Sequence, residues 1–277
     1  MEFNGLRLRH ELKYYIPYAD YAAMRGRVSA FMQPDEHMPD ADGYHVRSLY
    51  FDDPGFSAHF EKIYGYRNRS KTRIRVYNKD MSLIRFEKKI KLTGYVGKRT
   101  ADITQQELSA ILNNDTGILL KSSSSVMHRF YADQKLRRLR PVVMLDYLRE
   151  AYKYRPGNVR VTFDHDLQAA YGDFNDSFSE DGLIFRNVYP PQMLVMEVKY
   201  DDFLPAAVKR LIRPYTARRS AVSKYVLAIK AARIGDMYGV GGLFPTIHAS
   251  DSNADDSASS GDTDAGDRNR AVHFLHL

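Results

Sequence analysis

Alternation of apolar and polar residues with a period of two dominates this chain, interrupted by stretches with helical spacing. Over residues 71–77 it puts Lys71, Arg73, Arg75 and Tyr77 on one face of a strand, and Ile74 and Val76 on the other. A loop at Asn78-Lys79-Asp80 follows. Beyond it, Arg85, Glu87, Lys89 and Lys91 share a face opposite Ile84, Phe86 and Ile90. A hairpin would bring two rows of cations together, and like charges directly opposite destabilise a sheet unless an anion occupies the surface. Either run alone also reads as a solvated strand face, so the weight rests on repetition.

The pattern does repeat. Over 6–16, Arg9, Glu11, Lys13 and Tyr15 alternate with Leu8, Leu12, Tyr14 and Ile16, and Pro17 ends the run. A strand is predicted over 44–51, bounded by Gly43 and the turn signal Asp52-Asp53-Pro54-Gly55. Two more are predicted over 142–152 and 159–165, around Pro156-Gly157-Asn158. The first carries Arg149 in register with Tyr147 and Leu145; the second alternates Arg160, Thr162 and Asp164 with Val159, Val161 and Phe163. Over 195–200, Glu197 and Lys199 share a face.

Helical spacing appears between the strands. Asp20 is placed to cap a helix with Tyr21, Met24, Val28, Phe31 and Met32 on one side, closed by Pro34. Thr104-Gln105-Gln106-Glu107 is a capping box for a short helix ending near Ile111. Further helices are predicted over 122–139, over 203–213 with Pro205 in the first turn, and after Arg218-Arg219-Ser220 as far as Met237. The last is apolar at Val222, Val226, Ile229 and Ala232, with Ser223 and Lys224 in its first turn. Residues 65–70 read as a basic loop. No internal repeat is visible, and the fold class is α+β with a mainly antiparallel sheet.

Composition narrows the chemistry. The 277 residues, 44% of them hydrophobic, are ample for a sizeable core. With no cysteine, disulfides, thiolate metal sites and cysteine nucleophiles are excluded. The net charge of +7 understates how basic the body is, because the stretch from Asp251 to Asp267 is purely acidic. Such a body implies an anionic partner: nucleic acid, a membrane surface or a phosphate-rich small molecule. Residues 1–238 are expected to form one domain, and 239–277 an acidic, disordered tail ending in a short apolar run. No apolar run approaches the roughly 18 residues of a membrane span, which makes a cytoplasmic location the expectation.

Gly94 to Thr100 imitates the end of a P-loop, but Leu92 stands where that motif needs its first glycine and no helix pattern follows Lys98. The charged strand faces therefore remain the candidate chemistry. Two geometries accommodate them: a sheet with its charged face in water, or a closed barrel with apolar sides under helices and charged sides lining a tunnel. Periodicity leaves both open.

Six short motifs resemble, in order, those of the VTC domain, the catalytic domain of the vacuolar transporter chaperone polyphosphate polymerase. They are Arg9-His10-Glu11-Leu12-Lys13-Tyr14, Val46-Arg47-Ser48-Leu49-Tyr50-Phe51-Asp52, Lys71-Thr72-Arg73-Ile74-Arg75, Phe86-Glu87-Lys88-Lys89, Glu197-Val198-Lys199 and Ser223-Lys224-Tyr225. That domain belongs to the triphosphate tunnel metalloenzymes, so the resemblance, over about residues 7–232, implies an eight-stranded antiparallel β-barrel with covering helices and a basic tunnel. It also implies a metal-dependent polymerase that transfers the γ-phosphate of ATP to a growing polyphosphate chain. The alternatives are a triphosphatase or polyphosphatase using water as acceptor in the same tunnel, and a non-catalytic polyphosphate-binding module. Nucleic acid is not expected, since the strand cations face glutamates rather than stacking platforms.

By position, the resemblance implies that Lys13, Arg73, Arg75, Lys89, Lys98, Arg149, Arg160, Ser223 and Lys224 would bind phosphate, with Arg73, Arg75, Lys89 and Lys224 at the reacting group. Glu197 would hold the divalent metal, Mn²⁺ or Mg²⁺ as suits an all-oxygen site. Glu11 and Glu87 are open between metal ligation and charge balance, and Arg47 reads as structural because it shares a face with Leu49 and Phe51. One departure stands out: eukaryotic VTC polymerases carry a lysine where this chain has Ala221, a place Arg219 is positioned to fill. The matching stretch lacks SPX and membrane regions, so coupling to translocation is not implied.

Overall fold

The computed structural model describes residues 2–171, 174, 183–188, 192–214 and 219–231. Eight strands carry the architecture: β1 His10–Pro17, β2 Tyr44–Asp52, β3 Arg69–Tyr77, β4 Asp80–Leu92, β5 Tyr95–Ile103, β6 Arg140–Tyr154, β7 Val159–Tyr171 and β8 Met193–Tyr200. All neighbours pair antiparallel, in the order β1-β8-β7-β6-β2-β3-β4-β5. Short strands at Gln33–Pro34 and Ile184–Asn187 attach to β6 and β7.

The sheet curls until its two ends meet. Arg9, one residue before β1, exchanges both backbone hydrogen bonds with Val96 of β5, each 2.9 Å long. A small hairpin of Glu2–Phe3 and Leu6–Arg7 lies over this seam. It comes so close that a Cβ on Gly97 would sit 2.6 Å from Leu6 Cγ and 2.9 Å from the Arg7 carbonyl oxygen, so only glycine fits there. The predicted eight-stranded tunnel architecture is the one observed. The predicted strand over 6–16 is divided, however, because the chain leaves the hairpin and crosses the seam before β1 begins.

Tight turns set the register. β3 and β4 join through Asn78 and Lys79, both with positive φ (51° and 57°), the turn whose twist suits a two-residue hairpin. That register puts Arg73 opposite Glu87 and Lys71 opposite Lys89. Lys98 is an interior residue of β5, paired with Lys89.

Helices cover the apolar side of the sheet. α1 (Tyr18–Phe31) and α5 (Ala206–Ile212) press Met24, Val28, Val208 and Ile212 onto Ile16, Val161, Phe163 and Met196. α3 (Gln105–Leu112) and α4 (Ser125–Arg137) bury Leu108, Ile111, Met127 and Phe130 against Ile74, Val76, Ile84 and Phe86. Each such side chain contributes about 1.5–3 kcal/mol on burial. With the apolar faces outward, the charged faces of the same strands are turned inward.

Helix ends differ in several places from the sequence reading. The Thr104–Glu107 capping box forms as expected. α1 instead begins at Tyr18 after Pro17, leaving Asp20 in the first turn rather than at the cap. Pro205 is the N-cap of α5, not part of its first turn. The 122–139 stretch starts its α-helix only at Ser125, behind a 3₁₀ turn at Thr116–Lys121. α2 (Ser57–Ile63) was not anticipated: Asp53 accepts from the amides of Gly55 and Ser57, and Asp52 from those of Ala58 and His59, turning the Asp-Asp-Pro-Gly signal into a helix start. α6 (Lys224–Ala231) begins at Lys224, with Ser223 just outside it. The continuation of this helix to Met237, Arg218 and the 239–277 tail lie outside the described residues. No helix among the described residues is long and apolar enough to cross a membrane.

Candidate functional site

α6 lies against the inner side of the sheet. Its Tyr225, Val226 and Ile229 pack with Val46, Tyr50, Leu145 and Tyr147, which alternate with the outward-facing residues of β2 and β6. The Tyr225 hydroxyl donates to Asp52, anchoring the helix start. The space this helix leaves is a bore. Two cavities of about 770 and 640 Å³ are both lined by Glu11, Arg73, Arg75, Lys89, Arg149 and Lys199, and are thus two ends of one passage.

Four buried carboxylates organise the bore. Glu87 accepts from Arg73 Nε at 2.7 Å and Lys98 Nζ at 2.9 Å, with Arg75 3.8 Å away. Glu11 accepts from Lys89 Nζ at 2.9 Å on both oxygens. Asp164 takes a bidentate pair from Arg149 at 2.6 and 2.7 Å, and Lys224 Nζ at 2.5 Å. Glu197 is surrounded by Lys224 at 2.6 Å and by Lys13 and Lys199, each at 3.1 Å. Among the described residues, Lys13, Arg73, Arg75, Lys89, Lys98, Arg149, Lys199 and Lys224 thus share Glu11, Glu87, Asp164 and Glu197, leaving the bore strongly cationic.

Protonation follows from this crowding. Burial opposes ionisation of Glu197, but Lys13, Lys224 and Lys199 outweigh it and hold the carboxyl well below the usual range. Glu87 is likewise held well below by Arg73, Arg75 and Lys98 against the cost of burial. Lys224 is held above its ordinary value by Asp164 and Glu197, although burial works against the charge. Burial wins at Lys199, which is pushed down to about 7 despite Glu197 and Glu11.

Most of the residues expected at the site line this bore: Lys13, Arg73, Arg75, Lys89, Lys98, Arg149, Glu197 and Lys224. Arg160 lies at the mouth away from α6, bonded to Asp35 at 2.8 Å and to the Tyr44 hydroxyl at 2.9 Å. Ser223 lines the opposite mouth, where its Oγ accepts from Lys71 Nζ at 2.7 Å. Arg219 reaches the rim of that same mouth beside Ala221. Arg47 points outward and forks onto Asp146 at 2.6–3.1 Å, matching its structural reading. Glu11 and Glu87 carry charge balance in this structure.

Sequence reasoning passed over Lys199, Lys71 and Lys62 as site residues. The first two were legible as strand neighbours of Glu197 and Arg73. Lys62 was not, because it stands on the unanticipated α2.

Among the described residues, Glu11, Glu87, Asp164 and Glu197 supply carboxylate oxygens to the bore, the ligand type that suits Mg²⁺ or Mn²⁺. Glu197 and Glu11 are linked through Lys13 and Lys199, so a cation there would be completed by phosphate oxygens rather than by further side chains. Among the described residues, the three-membered acidic and histidine group is Asp35-Glu36-His37, at the far mouth, where Asp35 is already tied to Arg160 and Lys153.

The sequence profile of the VTC domain matches residues 8–233. Among solved structures, the chain is similar to a provisionally named adenylate cyclase of Bacillus halodurans, at 15% identity and a TM-score of 0.51, covering 79% of this chain and 95% of that one. It is also similar to a provisionally named adenylyl cyclase of Hippeastrum described as having a dominant triphosphatase activity, at 15% identity and a TM-score of 0.47, covering 81% and 96%. The PH1819 protein of Pyrococcus horikoshii OT3 aligns at 12% identity and a TM-score of 0.43, covering 80% and 98%. No curated protein matches the chain. The Bacillus likeness shows the shared fold, a curled antiparallel sheet with helices outside.

Proposed function

The chain belongs to the VTC domain family of triphosphate tunnel proteins, and from that premise we propose that it is a metal-dependent polyphosphate polymerase. The observation that carries this reading is a bore open from two sides, in which eight inward cations share four carboxylates. A passage with two mouths accommodates two phosphate chains meeting end to end, as transfer between them requires.

In the proposed reaction a terminal oxygen of the acceptor chain attacks the γ-phosphorus of ATP. A new P–O bond forms, the bond to the β–γ bridging oxygen breaks, and ADP leaves with that electron pair. The attacking group belongs to a substrate, so no protein nucleophile is needed, and positioning and fixed positive charge supply the acceleration. Arg73, Arg75, Lys89 and Lys224 would hold the transferring phosphate. Lys13, Lys98 and Arg149 would take adjoining phosphates, with Arg160 and Ser223 at opposite mouths. In the free protein these cations rest on carboxylates; arriving phosphate oxygens take their place. Glu197 would hold the divalent ion, Mn²⁺ or Mg²⁺, which would supply charge neutralisation to the phosphates.

Incubation of the protein with Mn²⁺ and ATP, with products resolved on a gel, tests the proposal. Long chains with ADP are expected. ADP with free phosphate would replace the reading by a hydrolase, and absence of turnover by a binding module.

A further inference from the structure

The two mouths of the bore differ in how their cations are compensated. At the mouth away from α6, Arg160 is 2.8 Å from Asp35, Lys153 3.0 Å from Glu36, Arg85 2.9 Å from Asp102 and Arg9 2.9 Å from Asp201. At the mouth beside α6, Lys62, Arg69, Lys71 and Lys91 line the cavity, and none forms an ion pair with a carboxylate among the described residues.

The change can be followed along one strand. Arg75, Arg73, Lys71 and Arg69 stand on the same face of β3, about 7 Å apart. The first two share Glu87. Among the described residues, Lys71 meets the Ser223 hydroxyl at 2.7 Å and the Tyr225 ring at 4.9 Å. Register then places like charges directly opposite: Lys71 faces Lys89, and Arg69 faces Lys91. Such pairs cost stability in an empty sheet and are relieved by an anion between them. Burial, followed by repulsion from neighbouring cations, lowers Lys71 and Lys62 below their ordinary values; burial also lowers Lys91 and Arg69, and the charges of Glu11 near the first and Glu61 near the second do not offset it.

We propose that Lys62, Arg69, Lys71 and Lys91 form an extension subsite at the α6 mouth, which grips phosphates of a linear inorganic chain beyond those held in the bore. The bore then serves any triphosphate, while this mouth selects long chains and sets the end from which they project. The inference rests on the tunnel binding phosphate chains, as proposed above.

The test compares binding of inorganic tripolyphosphate and long-chain inorganic polyphosphate to the full chain, without nucleotide or metal, by calorimetry. Two variants are made: Lys62→Ala with Lys91→Ala at the α6 mouth, and Arg85→Ala with Lys153→Ala at the other, which removes the same charge. The first is expected to weaken long-chain binding at least about tenfold and tripolyphosphate less than about twofold, and the second to change either by less than about twofold. Equal losses for both ligands, equal losses in both variants, or no loss in the first would overturn the subsite. Wild-type protein that binds neither ligand would overturn the tunnel reading itself, and the subsite with it.

Discussion

The ammonium of Lys224 donates to Glu197 at 2.6 Å, so the carboxylate proposed to hold a metal is held by a lysine in the free protein. Lys13 and Lys199 close on the same group from 3.1 Å. A metal arriving alone would have to displace ammonium groups and leave them buried without counter-charge, which is costly. Phosphate oxygens arriving with it give those ammonium groups new partners.

Metal and phosphate should therefore bind cooperatively. Free Mn²⁺, followed by its electron paramagnetic resonance signal, is expected to bind at least about tenfold more tightly in the presence of tripolyphosphate, and the reciprocal enhancement should be equal. Tight Mn²⁺ binding to the protein alone, unaffected by tripolyphosphate, would count against Glu197 as ligand.

Glu197→Gln removes the charge and keeps the shape. Turnover of ATP is expected to fall by at least about a hundredfold, since charge stabilisation of a phosphoryl group by a metal is worth several kcal/mol. Wild-type rates in this variant would end the metal assignment.

Lys62 sits at about 8, lowered by burial and then by Arg69 of β3, Lys91 of β4 and Lys13 of β1. An anion raises it, so binding of a long phosphate chain takes up a proton there and weakens as pH rises from about 7 to about 9. Lys62→Arg keeps the charge throughout this window and should reduce the slope, leaving the share of Lys199, which is lowered to about 7 in the same bore. A slope unchanged by that variant would assign the titration elsewhere. For folding alone the sign is reversed: the unfolded chain keeps Lys62 protonated above 8, so stability from this residue rises with pH in the same window.

Arg47→Met should destabilise without touching the chemistry. Arg47 is 1% exposed and paired with Asp146 on the outer face, and its loss leaves that buried carboxylate, among the described residues, with His45 at 3.4 Å. A loss of about 3 kcal/mol in urea unfolding is expected, with kcat/KM for ATP unchanged in the folded protein. A large fall in kcat/KM at wild-type stability would show that Arg47 acts on substrate.

Much of this was legible from alternation. Glu11, Lys13, Arg73, Arg75, Glu87, Lys89 and Glu197 were each assigned to a strand face that the structure turns into the bore. The capping box at Thr104 was readable because both partners lie within four residues. α2 was not, because its start depends on Asp52 and Asp53 folding back on amides up to seven residues ahead.

By itself, the amino-acid order determined which residues share a face and where strands end, because those follow from backbone geometry and local turns. Whether the charged faces met water or one another was decided only by closure, where Arg9 and Val96 join the two edges of the sheet. Pairing was decided there too. Lys224 reaches Glu197 and Asp164, and Lys71 reaches Ser223, across sequence separations that no local pattern encodes. The basic stretch 69–91 is thus unevenly compensated for a tertiary reason: carboxylates of β1 and β4 form ion pairs with Arg73 and Lys89, and among the described residues none forms one with Arg69, Lys71 or Lys91.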